Sequence, residues 1–294
     1  MAVRVARTAE AIGLWLAVAL LILGIAAATP GSAQTRDDAP KADGGPAPDL
    51  PGLPEPPEPP PPVVALSAAC DVPTSDIATP EPLPHLQAAL RERRPIRVLA
   101  IGSSSTAGLG ASTPSHNYPS QLEAILEKTF KGLEVVIINR GVSGEAAAAT
   151  ADRLKTLVGL EKPDLVLWQV GTNDALMHIP VDDFRATVGE TLRWLKEREV
   201  DTVLVGLQYT LIVSKDPHYT AIRIALRDLA ASEGVLLIRR YEAMEFIEKA
   251  KRGELTSPDG LHANDLGYRC MAEHIARAMV VSAFLKGKFA KKRG

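Results

Sequence analysis

Three hydroxyls in a row, Ser103-Ser104-Ser105, follow Gly102 directly after the apolar run Val98-Leu99-Ala100-Ile101. A serine hydroxyl becomes a nucleophile only if a base takes its proton and hydrogen-bond donors meet the charge that develops on the attacked carbonyl. Of the six histidines in the chain, His262 has the setting such a base needs. It stands in Ser257-Pro258-Asp259-Gly260-Leu261-His262-Ala263-Asn264, with a carboxylate three residues upstream across a glycine turn. At that offset Asp259 can hydrogen-bond Nδ1 and leave Nε2 facing a serine, so base and orienter arrive together. His85, His116, His178, His218 and His274 lack this arrangement and read as surface or packing residues, with His178 and His218, in loops, also kept as candidate substrate contacts.

Two further clusters have the composition of oxyanion donors. Asn139-Arg140-Gly141-Val142-Ser143-Gly144-Glu145 has two glycines ahead of a helical pattern, and the Gly141 N–H is a candidate donor. The same residues also read as a plain turn in which Ser143 caps the next helix. In Gly171-Thr172-Asn173-Asp174 the Asn173 amide can donate to a developing negative charge, while Asp174 reads as a residue that holds the loop through backbone N–H groups. Phosphate binding fits poorly. No lysine follows the serines as a Walker loop requires, and the third glycine of a dinucleotide fingerprint begun at Gly108 and Gly110 would fall on Thr113.

The elements that must carry these residues are legible as alternating apolar runs and helical patterns. Strands are expected at 98–101, 134–139, 164–170, 202–207 and 234–238, and helices at 118–130, 146–158, 181–198, 219–232 and 264–284. In the 181–198 helix Phe184, Val188, Leu192 and Leu195 share one face. Such alternation predicts an α/β chain, a three-layer α/β/α sandwich with a five-stranded parallel sheet, and each candidate residue falls just past a strand. Gln208 and Tyr209, past the fourth strand, are candidate rim residues, although a tyrosine at a strand end also reads as a packing residue.

Gly102-Ser103-Ser104-Ser105-Thr106, Asn139 to Gly144, Gly171 to Asp174 and Asp259 to His262 occur in the order of the four signature blocks of the SGNH (GDSL-type) hydrolase superfamily, which the chain resembles from about Arg97 onward. The resemblance implies a flavodoxin-like fold and an ester hydrolase that forms an acyl-enzyme. It implies Ser104 as nucleophile, His262 as base, Asp259 as orienter, and the Ser104 N–H, Gly141 N–H and Asn173 amide as oxyanion donors, with no metal or cofactor. The chain departs from the family at Ser103, where an aspartate is usual. Small acyl esters, acetyl groups on envelope carbohydrate among them, are the substrate class implied; transfer to a glycan hydroxyl by the same triad, or binding without catalysis, are the alternatives.

Residues 1–33 read as a secretory signal, with Arg4 and Arg7 before the apolar stretch from Ile12 and Gly31-Ser32-Ala33 at its end, or as an uncleaved membrane anchor. Residues 34–62 are a proline-rich tether and 63–294 one folded domain. Export to a periplasmic or envelope-anchored site places the chain in an oxidising compartment, where Cys70 and Cys270, the two cysteines present, are expected to pair. A formal net charge of −2 argues against nucleic acid as a partner, and the basic tail from Lys286 reads as solvated.

Overall fold

The computed structural model describes residues 62–251 and 254–285. The signal-like segment, the proline-rich tether apart from its last residue, and the basic tail lie outside them. In chain order the elements are α1 (Thr74–Ile77), β1 (Ala78–Thr79), α2 (Pro84–Glu92), β2 (Ile96–Gly102), α3 (Ser104–Ala107), a 3₁₀ turn (Pro114–His116), α4 (Tyr118–Thr129), β3 (Val135–Gly141), α5 (Ala147–Glu161), β4 (Leu165–Gln169), α6 (Thr172–Leu176), α7 (Val181–Lys196), β5 (Asp201–Val205), α8 (Pro217–Glu233), β6 (Leu236–Ile238), α9 (Arg240–Lys251) and α10 (Asp265–Ala283).

The five expected strands are all present and all parallel, in the order β6-β5-β4-β2-β3, with β1 added antiparallel at the β6 edge. This sixth strand, only two residues long, carries no periodic signal to read. Every residue of β4 and β5 is buried, as expected for central strands covered on both faces. From β2 the chain steps outward to β3 and then returns across β2 to β4. That reversal is the topological switch point at which open α/β sheets bind ligands, and the loops after β2 and β4 diverge there.

Right-handed crossovers in opposite directions put helices on opposite faces. Accordingly α5, α7 and α8 pack side by side, and α4 packs on α10. The α7 face seals its layer with Phe184, Val188, Leu192 and Leu195, all buried at the expected spacing. Trp168 of β4 is fully buried and donates its indole N–H to Thr150 Oγ1 of α5, 3.1 Å away. Leading into α1, the first described segment docks on α10. Cys70 and Cys270 form a disulfide, Ser67 donates from both N and Oγ to Glu273 Oε2, and His274 Nε2–H donates to the Cys70 carbonyl at 2.7 Å. Among the described residues no helix is long and apolar enough to cross a membrane.

Candidate active site

Ser104 opens α3, the single turn that follows β2. Its two neighbours are fixed in other directions. Buried Ser103 donates from both its N–H and its hydroxyl to Gln169 Oε1 at the end of β4, each at 3.0 Å. Ser105, also buried, donates its hydroxyl to Gln208 Oε1 at 3.3 Å. Of the three serines, Ser104 alone reaches the histidine: its Oγ–H donates to His262 Nε2 at 3.0 Å.

The histidine loop is built to hold one ring orientation. Asp259 Oδ1 accepts from Ser257 Oγ and from the Leu261 and His262 N–H groups, which leaves Oδ2 to accept the His262 Nδ1–H at 2.6 Å. Desolvation opposes ionisation of Asp259, but the bond from the His262 ring, the two backbone donors and Ser257 outweigh it and hold the carboxyl well below the usual range. A bridge between Thr256 and Ala263 closes the loop, and Asn264 caps α10 by accepting from the Gly267 N–H. The ring thus receives a fixed tautomer, with Nε2 as the acceptor of the serine proton.

On the oxyanion side, the Ser104 N–H begins a helix and donates to no acceptor among the described residues. Asn173 Nδ2 spends one hydrogen on the Glu145 carbonyl at 2.8 Å, which orients the amide and keeps its second hydrogen available. Gly141 corrects the expectation for this site. Its N–H donates to Asn139 Oδ1 at 2.9 Å, and a Cβ there would lie 2.2 Å from the Ala107 backbone nitrogen. Gly141 is therefore a packing glycine that lets β3 approach α3. Three residues on, Gly144 has φ +86°, and its N–H has no acceptor among the described residues. Glu145, its neighbour, is the residue Asn173 holds. The signal that marks Gly144 in the sequence is the same double glycine; which of the two N–H groups is free depends on the Asn139 side chain folding back.

The remaining expectations divide. Asp174 holds the loop as expected, accepting from the Ala147 N–H that begins α5, and its burial raises its pKa. That bond makes Asp174 the partner of the helix end, and Ser143 caps nothing. His178 and His218 meet each other, ring centroids 5.0 Å apart, and His218 Nε2 bonds the Ile179 carbonyl; neither touches the triad. Gln208 and Tyr209 are buried, so neither forms the rim. The segments after β2, β3, β4 and β5 instead expose apolar side chains: Leu109, Val142, Leu176, Met177, Leu211 and Ile212.

Residues 69–284 match the non-GDSL lipase-like family. The chain belongs to that family. It is a member of the SGNH hydrolase superfamily, whose fold it shares. An arylesterase from Vibrio mimicus is 25% identical over 185 residues, which cover 63% of this chain and 88% of that one. The crystal structure of TesA superposes with a TM-score of 0.54 at 22% identity, over 62% of this chain and 97% of TesA. A two-domain esterase active on acetylated mannans superposes at 0.64 and 16% identity, over 76% of this chain and 60% of that one. At position 103, where the resemblance leads one to expect an aspartate, the Ser103–Gln169 pair fills the turn.

Proposed function

We propose that this family member, a carboxylic ester hydrolase, cleaves small acyl esters through a Ser104–His262–Asp259 triad. The observation that carries the reading is the continuous chain of bonds from Asp259 Oδ2 through the His262 ring to Ser104 Oγ, at 2.6 and 3.0 Å. Ser104 Oγ attacks the ester carbonyl carbon as His262 Nε2 takes its proton, and the imidazolium that forms is stabilised by Asp259. The oxyanion is met by the Ser104 N–H, the second Asn173 amide hydrogen and the Gly144 N–H. His262 returns the proton to the leaving alkoxide, and water then cleaves the acyl-enzyme with His262 as base.

Small acyl groups suit a site this open. The Asp259 side chain is 49% exposed and His262 15%, and exposed apolar side chains lie on the segments that follow β2, β3, β4 and β5. Acetyl groups on envelope carbohydrate are the substrate we favour, supported by the structural neighbour that is active on acetylated mannans. The disulfide supports an oxidising, periplasmic or envelope-anchored location, with residues 1–33 as signal or anchor. Binding without catalysis is disfavoured by the bond from the Ser104 hydroxyl to a histidine that Asp259 already orients.

The test is a fluorophosphonate probe together with p-nitrophenyl acetate. We expect stoichiometric labelling of Ser104, and in Ser104→Ala a folded protein without labelling or turnover. Turnover retained by Ser104→Ala would remove the nucleophile. Adding a glycan acceptor separates hydrolysis from transfer, because a transferase would pass the acetyl group to it. Acetate release from acetylated glycans compared with longer acyl esters sets the substrate class.

A further inference from the structure

Beneath the proposed triad lies a charge that the mechanism above does not use. Arg240, the first residue of α9, is 3% exposed, and among the described residues it forms no ion pair. Its Nη1 donates to Ser105 Oγ at 3.2 Å and its Nη2 to Gln208 Oε1 at 3.0 Å, while Nε is buried with no partner. The phenols nearest to it electrostatically are Tyr268, Tyr219 and Tyr118, and among the described residues no carboxylate lies within ion-pair distance. A buried cation without a counter-ion is costly to keep, and replacing one by an apolar side chain of similar size is commonly neutral or stabilising. Its retention calls for a role that an apolar residue could not fill.

The bonds around it supply one. Ser105, Gln208 and Arg240 close a three-membered ring, since the Ser105 hydroxyl also donates to Gln208 Oε1. Gln208 is held at its own carbonyl by Tyr219 Oη–H and uses Nε2 to donate to the Leu261 carbonyl at 2.8 Å. Ser105 directly follows Ser104, and Leu261 directly precedes His262. The ring is thus a bridge between the turn carrying the hydroxyl and the loop carrying the imidazole, two segments that belong to opposite ends of the domain.

We propose that Arg240 is a positioning residue of the ester-hydrolase site, its guanidinium yoking the Ser104 turn to the His262 loop through Ser105 and Gln208. The proposal rests on the triad reading above. A planar fork that donates to two acceptors fixes their separation, which a single-point ammonium cannot do. Displacements of about 1 Å between reacting groups lower turnover about 100-fold.

Arg240→Met, Arg240→Lys and Ser105→Ala, measured beside Ser104→Ala, test this. Arg240→Met is expected to fold with an unchanged or raised Tm, because it removes an uncompensated buried charge and leaves Ser105 and Gln208 bonded to each other. Its kcat on p-nitrophenyl acetate is expected to fall about 10- to 100-fold with KM within about twofold. Arg240→Lys should recover part of that loss. Ser105→Ala should lower kcat by itself and add little in the Arg240→Met background, as members of one bridge do. Wild-type kcat in Arg240→Met, or equal losses of kcat and of folded protein, overturns the yoke while an inactive Ser104→Ala leaves the triad standing. If Ser104→Ala is active, the triad itself is wrong. Should Arg240→Met not fold, Ser105→Ala decides: lower kcat at unchanged Tm supports the yoke, and wild-type kcat removes it.

Discussion

Replacing Gln169 by leucine is the sharpest probe of how this chain holds the turn beside Ser104, the proposed nucleophile, with a serine at position 103. Gln169 Oε1 accepts from the Ser103 N–H and the Ser103 hydroxyl, both at 3.0 Å, and lies 3.5 Å from the Thr106 hydroxyl. Thr106 keeps another partner, Tyr118 Oη at 2.9 Å, so only the two Ser103 donors lose their acceptor. Each buried donor left unpaired costs about 1–3 kcal/mol, and leucine nearly fills the volume of glutamine, so the cavity contribution is small. We expect Gln169→Leu to lose about 3 kcal/mol, a fall in Tm of about 6–12 °C for a domain of this size. Because Ser103 precedes Ser104, kcat on p-nitrophenyl acetate should drop as well. A double-variant cycle makes the reasoning stricter. Ser103→Ala added to Gln169→Leu deletes one of the stranded donors, and about 1 kcal/mol of stability should return, whereas on the wild-type background Ser103→Ala is destabilising. Chemical denaturation of the four proteins measures the cycle. If Gln169→Leu unfolds within about 0.5 kcal/mol of wild type and keeps its kcat, the pair does not hold the turn, and the account of Ser103 fails.

Asn173→Ala should lower kcat by about 100- to 1000-fold, the loss of one oxyanion donor, with the slowed labelling of Ser104 by a fluorophosphonate as a second readout. Unchanged kcat would take Asn173 out of the hole. Replacing both Cys70 and Cys270 by serine opens a loop of sequence separation 200 and should destabilise the domain by up to about 5 kcal/mol, while the protein still folded at 25 °C keeps its kcat. A wild-type Tm would show that the bond contributes nothing. Asp201 gives a pH signature. Burial pushes its carboxyl from 3.8 up to about 6, against the bond from the Leu86 N–H. The folded chain therefore keeps this proton to a higher pH than the unfolded chain, and its stabilising share is complete below about pH 4 and lost as pH rises toward about 6. Asparagine has no such loss and still accepts from Leu86. Asp201→Asn should gain stability relative to wild type between pH 4 and 7, by up to about 3 kcal/mol, and a Tm difference that is flat over that range would refute the assignment.

What the sequence disclosed and what it hid follow from how far apart the interacting groups lie along the chain. Asp259 and His262 were legible because carboxylate, glycine turn and imidazole are three residues apart, so local backbone geometry almost suffices to bond them. The 181–198 helix was legible because Phe184, Val188, Leu192 and Leu195 state its buried face directly. The disulfide was legible because a chain expected to be exported holds two cysteines, which leave a single pairing. Gly141 and Gly144 could not be told apart in this way. Both are loop glycines beside the same strand end, and only the bond from Asn139 Oδ1, set by the strand register, removes one of them from service. The helix α9 was hidden because it begins two residues after β6, without the loop that usually announces a helix start. Arg240 was hidden for a deeper reason. An arginine beside a second arginine at a strand end reads as solvated surface, and its burial depends on Ser105 and Gln208, which come from elements 135 and 32 residues away. A sequence pattern can record a charge that is paid for locally; it cannot record one whose partners are assembled only by the fold. If Arg240 sets the distance between Ser104 and His262 as proposed, Arg240→Met should lower kcat at unchanged stability, a separation that Gln169→Leu, expected to lose both, does not give.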